Sequence, residues 1–166
     1  LLLSTANSET LGGVAVSADD IILFRPTVVG DYTSGTFSVL LNNPMAGNAT
    51  RDFALVEKAT VVGGVTLNAG DFLLTASSAT YDGASAGIGF GQQIYGVELV
   101  QATTTLGGAT LTAGQLLLTV NGNDTVGTNN LSVTAHDVFV LDVTATGTGT
   151  SSGSASLLVQ GADVGL

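Results

Sequence analysis

The chain has 166 residues, only 10% of them charged, and 13 acidic side chains stand against 3 basic ones for a net charge of −10. That balance argues against a nucleic-acid partner, whose phosphates call for Lys and Arg, and against an anionic membrane surface. There is no cysteine, hence no disulfide and no thiol chemistry, and no run approaches the ~18–20 apolar residues of a membrane helix.

From the first residue, the chain reads as short strands separated by turn residues. The run Leu1–Thr5 leads to a Gly pair in Leu11-Gly12-Gly13-Val14, then to the phrase Ser17-Ala18-Asp19-Asp20 and the aliphatic burst Ile21–Phe24. A turn at Gly30–Gly35 precedes a strand over Thr36–Leu41. The segment Asn42–Asp52, with Pro44 and Gly47, is a loop between halves. Pro26 and Pro44 are expected at strand exits, where a missing N–H is tolerated.

The same order then returns. Phe53–Val56 precedes Val62-Gly63-Gly64-Val65, the phrase Asn68-Ala69-Gly70-Asp71 and the burst Phe72–Thr75, followed by a turn at Tyr81–Gly87 and a strand over Ile88–Phe90. A third copy runs through Val97–Val100, Leu106-Gly107-Gly108-Ala109, Thr112-Ala113-Gly114-Gln115 and Leu116–Thr119. It ends in the turn Asn121–Asp124 and a strand over Leu131–Val133. A fourth, Thr134-Ala135-His136-Asp137 before Val138–Leu141, lacks the Gly pair and leads through Thr146–Gly153 to Ala155–Val159. Repetition on this scale marks modular β architecture. The repeats divide one all-β domain at about 1–52, 53–96, 97–134 and 135–166.

Each copy reads as a meander. A strand runs out, turns at Gly-Gly on the positive φ that tight hairpins need, runs briefly back, and turns again into a central strand. The bursts are continuous rather than alternating, which fits strands covered on both faces. No segment carries a sustained 3.6-residue period, so helix is expected to be nearly absent. The expected fold is an antiparallel β-sandwich of repeated hairpins, with a β-solenoid as the alternative.

Asp20–Thr27, then Gly30-Asp31 and Thr33–Val39, resembles repeats of large bacterial surface and extracellular proteins, adhesin-like in character. The closing Gly161-Ala162-Asp163-Val164-Gly165-Leu166 is similar to the signature that ends those repeats. The likeness covers about 17–41 and 137–166. It implies an extracellular, non-enzymatic repeat module.

Catalysis finds few side chains to work with. His136 is the one histidine, at a phrase position filled elsewhere by Asp19, Gly70 and Gly114, so it reads as a turn residue. No Gly-x-Ser-x-Gly elbow stands between a strand and a helix. Structural zinc in its usual forms would need clusters of Cys and His. The site chemistry that the sequence offers is oxygen ligation of Ca²⁺, with Asp20, Asp31, Asp71, Asp82, Asn121, Asn123 and Asp124 as candidate ligands. Against it stands the ordinary use of Asp and Asn in turns that bond their own backbone. Carbohydrate or a host surface is the corresponding partner of a binding module.

A different signal is the scarcity of strand-edge guards. Lys, Pro and inward charges normally blunt exposed edges, and this chain has one Lys and two Pro. Leu1, Leu2 and Leu3 form a strand that could complete a neighbour's sheet by β-strand addition. The expectation is a self-assembling, non-catalytic extracellular protein: a subunit of a filament, sheath or surface layer. The alternative is a Ca²⁺-dependent adhesion or carbohydrate-binding module.

Overall fold

The computed structural model describes residues 1–42, 44, 50–76, 90–147 and 151–166. Among these the fold is all-β. Every ladder of defined register is antiparallel, and the helical content is one 3-10 turn at Gly161–Val164. The chain divides into two compact units, the first formed by Leu1–Arg51 with Ala76, the second by Asp52–Thr75 and the described residues from 90 onward.

The first unit contains β1 (Leu2–Leu3), β2 (Glu9–Leu11), β3 (Val14–Val16), β4 (Ile21–Val28) and β5 (Asp31–Leu41). Its sheet has the order β1-β4-β5, and β2–β3 is a separate hairpin. Ile21, Ile22 and Phe24 are buried. Phe24 lies opposite Phe37 of β5, with ring centroids 4.8 Å apart.

In the chain of the second unit come β6 (Thr50–Leu55), β7 (Thr60–Val62), β8 (Val65–Leu67), β9 (Phe72–Ala76), β10 (Ile94–Leu99), β11 (Thr104–Leu106) and β12 (Ala109–Leu111). They are followed by β13 (Leu116–Val120), β14 (Asp124–Val126), β15 (Leu131–Val133), β16 (Val138–Ala145) and β17 (Ser152–Val159). A four-stranded sheet has the order β10-β13-β16-β17, and β6 pairs with β9. The hairpins β7–β8, β11–β12 and β14–β15 stand as separate ribbons.

The three Gly pairs lie at hairpin tips with both φ angles positive, as at Gly107 (58°) and Gly108 (88°), the requirement of a type I′ turn. The hairpins they close share one three-residue register. The simple meander needs correction, however. The central strand does not pair with the hairpin that leads into it. It pairs with the strand before the hairpin: β1 with β4, β6 with β9, β10 with β13. Each Gly-Gly hairpin is thus an excursion from a wider two-stranded unit.

The continuous aliphatic bursts are explained by two-sided burial. On one face of the four-stranded sheet Leu118, Val120, Phe139 and Leu141 join Phe90, Ile94, Val97, Val126 and Val133 in the main cluster. On the other face Val140 packs with Val100 and Leu111, beside Leu117. At roughly 25 cal/mol per Å² of apolar surface, this double coverage is the main source of stability that the strands can draw on.

Several expectations shift in detail. Pro26 sits inside β4, opposite Gly35, rather than at a strand exit. Leu1 and Phe24 exchange backbone hydrogen bonds, so the alternate residue Pro26 turns its nitrogen to that same outer side, beyond the two residues of β1. No ladder bond is lost there. Asn121–Asp124 is a turn, but Asp124 already belongs to β14. The fourth copy therefore does carry a hairpin, closed by Gly127–Asn130 in place of a Gly pair. The expected turn at Tyr81–Gly87 lies outside the described residues, as do Ile88 and Gly89 of the strand expected after it; Phe90 lies in no strand.

Candidate functional site

The recurring phrase folds into one recurring device. In each copy the first residue's N–H donates to the fourth residue's side chain, while the fourth residue's N–H donates to the first residue's carbonyl. The side-chain bonds are Ser17 N–H to Asp20 Oδ2 (2.9 Å), Asn68 to Asp71 Oδ2 (2.7 Å), Thr112 to Gln115 Oε1 (2.8 Å) and Thr134 to Asp137 Oδ2 (2.7 Å). The backbone returns are 3.1, 3.0, 3.1 and 3.2 Å in the same order. A short polar side chain that bonds its own backbone fixes the turn and aims the next residue into the sheet.

Each turn is also stitched to its surroundings. Val56 N–H donates to Asp71 O and Gly70 N–H to Val56 O; Val100 and Gly114 repeat that pair around Gln115. The fourth turn holds the C-terminal segment instead, since Asp137 Oδ1 accepts the Gly161 N–H at 2.9 Å. Asp20 and Asp137 are 2% and 4% exposed. The Gly161 N–H holds the Asp137 carboxyl below the usual carboxylate range, with Thr134 and the neighbouring His136 adding to the effect against the opposing cost of burial. His136 is an exposed turn residue, and its backbone and Cβ lie where any side chain at Gly161 would have to go.

The other proposed oxygen ligands are occupied locally too. Asp31 accepts the Thr33 hydroxyl at 2.6 Å and the Thr33 N–H at 3.0 Å; these bonds hold its carboxyl below the ordinary range. Asn121 Oδ1 accepts the Gln93 N–H, and Asp124 accepts the N–H groups of Gly91 and Gln92. Asn123 adjoins Asp124 along a shallow polar groove. Asp82 lies outside the described residues. Among the described residues, no three His, Asp or Glu side chains gather to hold a metal ion. Of the six described candidates, Asp20 and Asp31 belong to the first unit, and Asp71, Asn121, Asn123 and Asp124 to the second.

Leu1, Leu2 and Leu3, the proposed donor strand, pair with the chain's own β4. Leu2 lies opposite Leu23 and Leu3 opposite Ile22. Residues Ser4–Ser8, outside any strand, connect β1 to β2. On the far side of the same sheet β5 has β4 on one flank and no second ladder among the described residues. The β4–β5 hairpin ends in exposed apolar side chains at Val28, Val29 (93% exposed) and Tyr32.

The second unit closes its strand edges by means that composition does not reveal. Asn129 forms two bonds to one backbone residue of β17: Ala155 N–H donates to Asn129 Oδ1 (2.8 Å), and Asn129 Nδ2 donates to Ala155 O (2.7 Å). Thr128 N–H donates to Gly153 O beside them. On β10, Val97 N–H donates to Asp52 Oδ2 at 2.8 Å. Gln101 accepts the Glu57 and Lys58 N–H groups and donates to Leu55 O. The signal for Asn129 was present in the sequence: the fourth copy replaces its Gly pair with Gly127-Thr128-Asn129-Asn130.

An apolar cavity of about 350 Å³ opens on the main face of the four-stranded sheet, lined by Leu73, Phe90, Val97, Leu116, Leu118 and Val143 among others. Among the described residues its wall carries no titratable side chain. Glu98, whose carboxyl burial pushes up, lies on another surface, beside Leu117 in the ladder. Compared with family models, curated proteins and solved structures, the chain finds no match. No helix among the described residues is long and apolar enough to cross a membrane.

Proposed function

We propose that the chain is a non-catalytic extracellular structural protein that assembles with copies of itself through strand edges, as a subunit of a bacterial filament, sheath or surface layer. The carrying observation is β5. It is eleven residues long, has a single paired flank among the described residues and carries neither Lys nor Pro. Unpaired N–H and C=O groups in such a row are a template for another strand. Phe24 turns its backbone toward β1, so the opposing Phe37, and with it Gly35 and Val39, turn theirs outward from β5. Repeated head-to-tail contacts that do not close generate a filament.

Strand donation is a second route to the same assembly, through β4 in place of β5. Leu1–Leu3 of one subunit would take on the next subunit's β4 the place that they hold on their own, with the Ser4–Ser8 connector reaching between. The exchange conserves every ladder bond, which is why swapping is a low-cost route to assembly. The resemblance to adhesin-like repeats supports the extracellular setting.

The test is electron microscopy and sedimentation of the 166-residue chain over rising concentration, beside a chain lacking residues 1–9. Ordered polymers of the intact chain are expected, and a purely monomeric intact chain overturns the reading. Polymers that persist without residues 1–9 overturn strand donation but leave edge assembly standing.

A further inference from the structure

The β17 strand, Ser152–Val159, reads Ser-Gly-Ser-Ala-Ser-Leu-Leu-Val and contains no charged residue and no proline. It is the last strand of its sheet. By composition it is an eight-residue edge without protection, since nothing charged would oppose its pairing with the same strand of another copy. The rest of the chain is strongly acidic and repels its like, so a neutral strand is where two copies meet at least cost.

The ladder fixes which backbone groups face outward. Ala155 lies opposite Leu141, yet its N–H and C=O both go to Asn129. Ala155 therefore points its backbone away from β16, and by alternation Gly153 and Leu157 do so as well. Gly153 O is taken by Thr128 and Ala155 by Asn129. Two positions beyond Val159, the Gly161 N–H is bound by Asp137. The open stretch shrinks to the neighbourhood of Leu157, which is partly exposed along the polar groove. One outward residue gives an incoming strand too few hydrogen bonds to dock.

The loop is shaped for this contact. Gly127 has φ +76°, and a Cβ there would stand 2.8 Å from Ala155 N and 2.7 Å from Asn129 Oδ1. Asn130 holds φ +54°, a left-handed conformation that Asn tolerates better than most residues. Where the other copies have a two-residue Gly-Gly tip, this one has a four-residue tip that brings an amide to the edge.

We propose that Asn129 is a backbone-mimicking plug: its side-chain amide occupies the place of one residue of an added strand and keeps β17 from pairing with β17 of a second copy. The edge is thus a latent β-addition site whose partner is the same strand. This inference is independent of the assembly reading, which concerns the first unit.

The absence of cysteine makes a clean test possible. Leu157→Cys supplies the one thiol, and a short bismaleimide reports whether two β17 edges meet. With Asn129 in place, linked dimers should stay at background. With Asn129→Ala, or with Asn129→Leu, which keeps the size but loses both bonds to Ala155, they should rise severalfold while the circular dichroism is unchanged. Equal linking with and without Asn129 overturns the proposal, as does background linking in both folded variants. Amide exchange on the unaltered chain gives a reading that needs no variant. The Ala155 N–H should exchange about tenfold or more slowly than the Leu157 N–H, as a bonded amide does beside an open one; equal rates would mean that no plug exists. Polymers built through β5 would appear whatever the result at position 157, so the two readings fail separately.

Discussion

At the scale of single residues the acids of the repeated phrase act as turn fasteners. Gln115 fills in the third copy the place held by Asp in the others and makes the same bond, so an acceptor oxygen is what the position requires. Asp137 carries the most, because its two oxygens separately accept Thr134 and Gly161. Asn in its place can accept only one of the two, leaving an amide without its partner in a buried site. Asp137→Asn is expected to lower stability by about 1–3 kcal/mol near neutral pH, measured by urea unfolding. The folded-state carboxyl titrates below its usual range, so its contribution is complete above the unfolded value near ~3.9 and is lost as pH falls through the lower folded value. The gap between wild type and Asp137→Asn should hold from neutral pH to about pH 5 and narrow below about pH 4; a gap that stays constant to pH 2 would refute the assignment. The turn role of these acids was legible in the sequence from their fixed place before an aliphatic burst. Asn129 was not legible as a plug, because its partner Ala155 is 26 residues away and no local pattern encodes that meeting.

At the scale of elements, strand positions were readable because β-branched and aliphatic runs bounded by Gly, Asn and Asp leave few alternatives. Strand partners were not. A hairpin signal names the next strand, whereas the pairing of β10 with β13 across an intervening ribbon is settled by burial and by the stitching of Val100 to Gln115 and Gly114. Two glycines of one copy separate conformation from close packing. Gly108 has φ +88° with open space around a would-be Cβ, while Gly114 has φ +98° and faces the Val61 carbonyl at once. Gly108→Ala should cost about 1–2 kcal/mol, the strain of a left-handed alanine. Gly114→Ala should cost clearly more, because β7 must also move. Thermal unfolding of the two variants side by side checks this ordering, and equal losses would show that the contact between this turn and β7 carries little.

At the scale of the whole molecule, scarce basic residues and prolines do not leave every edge open. In the second unit Asn129, Asp52 and Gln101 satisfy edge backbone with side-chain amides and a carboxylate. In the first unit Pro26 turns its nitrogen outward beyond β1. Among the described residues β5 is left as the long edge without such cover, so one precise substitution there tests the proposed assembly. Val39 lies opposite Ile22, and its N–H points away from β4, so proline there removes no existing ladder bond but takes one donor from any added strand and sets a ring in its path. Val39→Pro is expected to keep the antiparallel β signature in circular dichroism and to melt within several degrees of wild type. Its sedimentation profile should collapse to monomer at concentrations where the parent chain forms polymers. Leu40→Glu, which adds to the chain's negative charge at an exposed position of the same strand, should weaken assembly in a salt-dependent way, since exposed charges are screened within about 10 Å at 0.1 M ionic strength. If the folded Val39→Pro chain still polymerised as the parent does, the growing contact could not run along β5. The donated β1 strand on β4 would then be the remaining route, and the chain lacking residues 1–9 would decide it.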